Sequence, residues 1–275
     1  MSVLGVPFDN VTIAEAVTRI DRMVASRQPH YVATANVDFL MQAHHDVELR
    51  RILLEADLLL CDGTPLVWAS HLLGNPLHER VAGSDLAPSL IRHAAAKGHR
   101  IFFLGAAPGV AAAAADRLRK EFPTLNIVGA YAPSYAELLA MDHPEITRRI
   151  REAQPDILLV SFGCPKQEKW IAMHYRSLGV PVSIGVGATL DFLAGRVRRA
   201  PAWMRRSGTE WIFRLLQEPR RLYRRYVRDL AFFFPTLVRQ WWRLTLRDSQ
   251  AAAPPPTVEV TNGWCRISAG ENLTL

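Results

Sequence analysis

Six short aliphatic and aromatic runs recur along the chain: "HYVATA" at 30–35, "DLLLCD" at 57–62, "RIFFLG" at 100–105, "NIVGAY" at 126–131, "DILLVSFG" at 156–163 and "PVSIGVG" at 181–187. Most are apolar on successive residues, as strands covered on both faces must be. The intervals read as helices at 13–27, 41–56, 84–98, 109–121, 135–153 and 166–178. Strand and helix alternate, and the economical topology for that order is a parallel sheet with right-handed crossovers. The predicted fold is therefore α/β, a Rossmann-like open, mainly parallel sheet flanked by helices. In such sheets ligands bind beyond the carboxyl ends of the strands, so the chemistry is to be sought in the residues that follow each run.

After Gly195 the pattern changes to arginine interleaved with Trp203, Trp211, Phe213, Tyr223, Tyr226, three consecutive Phe and Trp241-Trp242. Between Arg196 and Arg228 there are 11 Arg, no Lys and 2 acids, a net +9 that leaves the rest of a +7 chain slightly acidic. The longest uncharged run here, Leu230 to Val238, is too short to span a bilayer and contains Pro235. It suits a membrane surface, with rings at headgroup depth and guanidinium groups on lipid phosphate. We divide the chain into an α/β core at 1–195, a basic aromatic helical appendage at 196–248 that associates with an anionic membrane surface, and a flexible tail at 249–275 that opens with "SQAAAPPPT". Cys61, Cys164 and Cys265 form no C-x-x-C pair, and the first ten residues have neither a basic region nor a long apolar one. Those features lead us to expect a reducing, cytoplasmic setting and no secretory leader.

Several strand ends carry chemistry-bearing residues. Asp62, directly after a buried run, is placed for a general base, or alternatively, with Thr64, for a helix cap. Thr34 and Asn36 fit hydroxyl and amide contacts to a sugar, while an Asx-turn explains Asn36 equally well. Gly105 and Gly109 make a tight turn ahead of a helix, but neither G-x-G-x-x-G nor G-K-[ST] is present, so no dinucleotide fingerprint or P-loop is. In "FGCPKQEKWI", Gly163 lets backbone approach a ligand and Pro165 suits the first helical turn. Gln167 is then presented at the helix start, with Glu168 counted beside it or bracing the turn with Trp170. No H-E-x-x-H and no Asp-x-Asp occurs, so neither a metal site nor a bound cofactor is expected.

Taken together, "TANVDFL", "CDGTPLVW", "ERVAGSDL", "FFLGAAPGV", "FGCPKQEKWI", "GVGATLDFLAG", "RAPAWMRR" and "EWIFRLLQEPRR" resemble the WecG/TagA/CpsF glycosyltransferases in order and spacing, over about residues 1–245. The resemblance implies metal-free, inverting transfer of a sugar from a UDP-sugar to a polyprenyl-pyrophosphate-linked sugar, in envelope or exopolysaccharide synthesis. The donor would carry N-acetylmannosamine, its uronate or glucose, and the enzyme would sit peripherally on the inner face of the cytoplasmic membrane. On that pattern Asp62 is the base, Thr34 and Asn36 contact sugar and acceptor, Arg80 a phosphate, Gln167 the donor, and Tyr131 and Asp191 the nucleoside. Arg214, Arg221 and Arg224 follow the family spacing and would reach a pyrophosphate. Two other readings stand beside it: a nucleotide-binding oxidoreductase or epimerase, and a nucleic-acid-binding module working through the Arg-rich segment. The missing dinucleotide fingerprint argues against the first, and "AFFFPTLV" suits lipid better than bases.

Overall fold

A short antiparallel hairpin, β1 (Ser2–Val3) and β2 (Val6–Pro7), leads into α1 (Ile13–Ser26), whose start is fixed by a capping box in which Thr12 and Glu15 exchange hydrogen bonds. The computed structural model describes residues 2–251, 257–261 and 264–268, without the side chains of Ala202, Arg206, Arg221 and the residues from 247 onward. The chain continues through β3 (His30–Ala35), α2 (Val37–His45), α3 (Val47–Leu54), β4 (Leu58–Cys61), α4 (Thr64–Leu72), α5 (Gly83–Lys97), β5 (Arg100–Gly105), α6 (Val110–Glu121) and β6 (Asn126–Tyr131). There follow α7 (His143–Ala153), β7 (Ile157–Ser161), α8 (Lys166–Leu178), β8 (Val182–Gly185), α9 (Thr189–Leu193), α10 (Ala202–Arg206), α11 (Glu210–Gln217), α12 (Pro219–Ala251), β9 (Thr257–Thr261) and β10 (Trp264–Ser268).

All six predicted strands form one parallel sheet in the order β4-β3-β8-β7-β5-β6. Alternate residues of each strand feed two separate cores. Ala33, Leu59, Leu104, Leu158 and Val160 face α2, α3 and α8, whereas Val32, Leu60, Phe103, Leu159 and Ile184 face α1, α5 and α6. Both faces are dry, which is why the strands read as unbroken apolar runs.

Local chemistry redraws two of the expected helices and adds one. The stretch at 41–56 is two helices, because Asp46 ends α2 and caps α3 by accepting from the Leu49 amide at 3.0 Å. The stretch at 135–153 holds a single 3-10 turn at Leu138–Ala140 and becomes α-helical only from His143, where Asp142 caps the amide of Glu145 and Pro144 occupies the first turn. Residues 64–72, left without an element by the sequence pattern, form α4.

The appendage does not stand apart. Along α12 one stripe, Leu222, Phe233 and Leu237, is buried, and Phe233 and Leu237 join the core beside α2. Phe232 packs its ring 5.0 Å from that of His44, Arg228 pairs with Asp38 at 3.1 Å, and Gln240 bonds the backbone of Ser2 and Leu4. The outer stripe, Tyr223, Val227, Leu230, Phe234, Val238 and Trp241, is apolar and exposed at helical spacing. Beyond it, where a loose tail was expected, α12 runs on to Ala251 and β9 pairs antiparallel with β10. The other tail residues lie outside those described.

Candidate active site

The sheet order reverses around β8: β3 leads outward to β4 at one edge and β5 to β6 at the other. Ligands are expected at that reversal. Thr34, buried near the end of β3, donates its hydroxyl to the carbonyl of Gly185 at the end of β8, 3.3 Å away. Asn36 caps α2 by accepting from the Phe39 amide at 3.3 Å, so the turn-forming reading holds for its oxygen, while its Nδ2 has no protein partner among the described residues. Gly63 packs against it, with room for a Cβ only 3.6 Å from that of Asn36.

Asp62 follows β4, anchored through its amide to the Ala35 carbonyl at 2.9 Å. Neither Asp62 nor Thr64 caps α4, whose cap position is Gly63 and which has no side-chain cap bond. Burial pushes the Asp62 carboxyl above the ordinary carboxylate range, and the positive charges of Arg80 and Arg214 draw it partly back. Among the described residues it makes no hydrogen bond or ion pair.

Two other acids share this end of the sheet, and both are neutralised. Asp85, in the first turn of α5, pairs with Arg80 at 2.5 Å, with Arg199 and with Arg205 at 3.3 Å. Glu210, at the start of α11, pairs with the other arm of Arg80 at 3.0 Å. Arg80, expected at a phosphate, is thus a clasp that holds α11 over the strand ends. Where Gly208 passes Thr64 the backbone is so close that a Cβ would stand 2.6 Å from a Thr64 methyl.

α5 opens with Gly83 and Ser84, whose amides have no hydrogen-bond partner among the described residues, since Ala82 offers its carbonyl to Asp85 and Leu86 and has no capping side chain. A Cβ on Gly83 would lie 3.2 Å from the Thr34 hydroxyl. Two unpartnered amides at a helix amino terminus are suited to phosphate oxygens.

Gln167 departs from its expected part. It is fully buried, its Oε1 accepts from the amides of Gly163 (3.2 Å) and Gly187 (3.1 Å), and its Nε2 donates to Glu168 Oε1 at 2.7 Å. Both of its polar atoms are committed to protein, and its task is to staple the turn after β7 to the turn after β8. Gly185 must be glycine here, because a Cβ would meet Gln167 and Glu168 at 2.8 Å. Glu168 is also fully buried, and burial raises its carboxyl to about 7 against the hydrogen bond from Gln167. It braces the turn, as does Trp170, which is fully buried beneath it. Pro165 takes the cap position of α8 after a cis peptide, and Gly163, at φ +78, leaves open space where a side chain would stand.

Gly105 and Gly109 shape the turn between β5 and α6, beside the end of β7. At Gly105, φ is +99 and a Cβ would sit 2.5 Å from the Ser161 carbonyl. Asp191, in α9, shares a cavity of about 350 Å³ with Phe192 and Arg214, whose guanidinium lies 5.9 Å from the Phe192 ring centre. Tyr131 is not brought to Asp62: it ends the far edge strand, five strand positions or about 24 Å away, with Arg149 stacked on its ring at 4.4 Å. Arg224 is exposed and makes no ion pair among the described residues, and the side chain of Arg221 lies outside them. Arg225 and Arg228 meet Asp38 instead, at 4.0 and 3.1 Å.

The sequence profile of the Glycosyl transferase WecG/TagA/CpsF family matches residues 1–247, nearly the whole described chain. The chain belongs to that family. Among its curated relatives, one from Bacillus spizizenii is 36% identical over 191 residues, covering 70% of this chain and 72% of the relative. One from Staphylococcus aureus strain MW2 is 33% identical over 226 residues, covering 82% and 87%. Both are named N-acetylglucosaminyldiphosphoundecaprenol N-acetyl-beta-D-mannosaminyltransferase. Membership in the WecG/TagA/CpsF family makes the chain a glycosyltransferase and displaces the oxidoreductase and nucleic-acid readings. Sequence reading passed over Asp85, Arg199, Arg205 and Glu210, although "ERVAGSDL", "RAPAWMRR" and "EWIFRLLQEPRR" contain them. Apart from the Arg80–Asp85 pair, five residues apart, their partners lie 114 to 130 residues away, and a single sequence carries no sign of such pairing.

Proposed function

We propose that this WecG/TagA/CpsF glycosyltransferase moves an N-acetylmannosamine-type sugar from a UDP-sugar to a polyprenyl-pyrophosphate-linked amino sugar, with inversion at the anomeric carbon. The observation that carries the reading is the contrast among three acids: Asp85 and Glu210 are locked by arginine, while Asp62 is raised by burial and holds no partner among the described residues. A carboxylate in that state can take the proton of an acceptor hydroxyl as it attacks. The leaving diphosphate is assigned to the free amides of Gly83 and Ser84 and to Arg214, which stabilise charge as it develops. Asp191, in the cavity with Arg214, is assigned to the nucleoside side, and Thr34 with the free amide of Asn36 to the sugars. Arg80 and Gln167 position these groups from behind.

The acceptor's lipid fits the same architecture. Among the described residues no helix is long and apolar enough to cross a membrane. The exposed apolar stripe of α12, flanked by Arg220, Arg224, Arg239 and Arg243, supports peripheral docking on an anionic inner leaflet, with α11 clasped over the strand ends. The test is direct. Purified chain is given UDP-N-acetylmannosamine, UDP-N-acetylmannosaminuronate or UDP-glucose with a short-chain polyprenyl-pyrophosphate N-acetylglucosamine. Mass spectrometry reads the product, and the NMR coupling of its anomeric proton reads the configuration. Formation of a disaccharide of inverted configuration is expected; no transfer from any of the three donors, or retained configuration, overturns the proposal.

A further inference from the structure

Asp21 in α1, His93 in α5 and His99 in the turn before β5 come together at the end of the sheet remote from Asp62. One carboxylate oxygen and the Nε2 atoms of both rings all lie within 4.8 Å of one another. Asp21 Oδ1 is 2.7 Å from His99 Nε2 and 3.0 Å from His93 Nε2. The His99 contact has the geometry of a hydrogen bond. The His93 contact does not: its Nε2 is buried, stands at hydrogen-bonding distance from a carboxylate, and yet has no hydrogen-bond partner among the described residues. One acid oxygen and two ring nitrogens are thus gathered within the reach of a single ion.

We propose that Asp21, His93 and His99 bind one zinc-class divalent ion. Two neutral imidazoles and a carboxylate form the N2O donor set that Zn²⁺ and its spectroscopic substitute Co²⁺ accept and that Mg²⁺ and Ca²⁺ do not favour. In a tetrahedral site with bonds of roughly 2.0 to 2.1 Å, neighbouring ligand atoms stand about 3.3 Å apart, so the two contacts of Asp21 with the rings lengthen by roughly 0.3 to 0.6 Å on binding. The side chains remain 28%, 28% and 17% exposed, which leaves room for that movement and for water as the fourth ligand. The ion ties together α1, α5 and the start of β5, on the side away from the strand ends assigned to transfer. It is a structural tie, so its removal reads on stability and not on sugar transfer. His143 and His174 also approach each other, at 2.8 Å, without a third ligand among the described residues, and provide an internal control.

The full chain, stripped of metal, is titrated with Co²⁺ and then Zn²⁺. The expected result is one Co²⁺ per chain, with the visible absorption of a tetrahedral ion, displaced by Zn²⁺. Tm is expected to rise by roughly 5 to 10 °C when free Zn²⁺ is about a hundredfold above Kd. The double variant His93→Gln/His99→Gln should lose the visible band and bind at least about tenfold more weakly, and His143→Gln should bind as the parent does. Absence of a visible band in the parent chain, or its persistence unchanged in the double variant, overturns the site. The parent measurement alone can refute the proposal, whatever the variants do to folding.

Discussion

Replacing Gln167 by Leu keeps the volume of the side chain and removes its polar end. In the structure that end satisfies two backbone amides, Gly163 and Gly187, and donates to Glu168. Each part-buried group left without a partner costs about 1 to 3 kcal/mol, so two amides give a loss of roughly 2 to 6 kcal/mol, before any strain in Glu168. Against a total stability of about 5 to 15 kcal/mol this is a large fraction. For a chain of this size it lowers Tm by roughly 5 to 20 °C. Urea titration of the purified variant measures the loss directly, and UDP-sugar affinity measured well below the transition shows the second consequence. Because Gly163 and Gly187 flank the strand ends, donor binding should weaken along with stability. The reasoning is refuted if Gln167→Leu melts with the parent but no longer binds donor, since that result makes Gln167 a ligand contact and not a staple.

Three further outcomes follow from the same geometry. Asp62→Asn should cut turnover by ~10² to 10⁴-fold, about 2.7 to 5.5 kcal/mol of barrier, and raise Tm at neutral pH by removing a desolvated charge; unchanged turnover would exclude Asp62 as the base. Its raised carboxyl also places the acid limb of kcat/KM above the ordinary carboxylate range, with activity lost as pH falls through it. Glu168, raised from 4.5 to about 7, holds its proton in the fold where the unfolded chain has released it. Its contribution to stability therefore falls as pH rises from about 4.5 to about 7, by on the order of 3 kcal/mol. Glu168→Gln should lack that decline, and a pH-independent difference between the two urea midpoints contradicts the assignment. Arg214→Ala should lower turnover on a short soluble acceptor by ~10² to 10³-fold while liposome flotation persists, because the apolar stripe of α12 is untouched; full turnover would confine α11 to anchoring.

Part of the candidate site could be placed from the strand ends. Asp62 and Asn36 stand where the pattern placed them because a β-strand buried on both faces leaves its first less-buried polar residue just past the carboxyl end, while Thr34 is buried within the last residues of β3. What reading missed was the pairing logic. Arg80 and Asp85 sit five residues apart in a quoted stretch, yet the partner that completes their clasp is Glu210, and only packing of α11 onto the core brings it there. The inward hydrogen bonds of Gln167 escape the sequence for a related reason: a glutamine at a helix start looks outward there, and only the adjacent turn after β8, carrying Gly187, supplies its second partner.

Sequence by itself determined the six strands, most of the helices between them and the parallel direction of the strands, because apolar runs are local and helical crossovers between successive strands admit few alternatives. It also determined the family, through motifs in fixed order. Tertiary structure alone decided which arginines neutralise which acids, which acid is left without a partner, and that Phe233 and Leu237 bury one stripe of α12 while its opposite stripe stays exposed. It alone assembled Asp21, His93 and His99 from three elements. The physical reason is range: backbone preference and burial period act over a few residues, whereas charge pairing and ligand convergence depend on distances that exist only once the chain has folded.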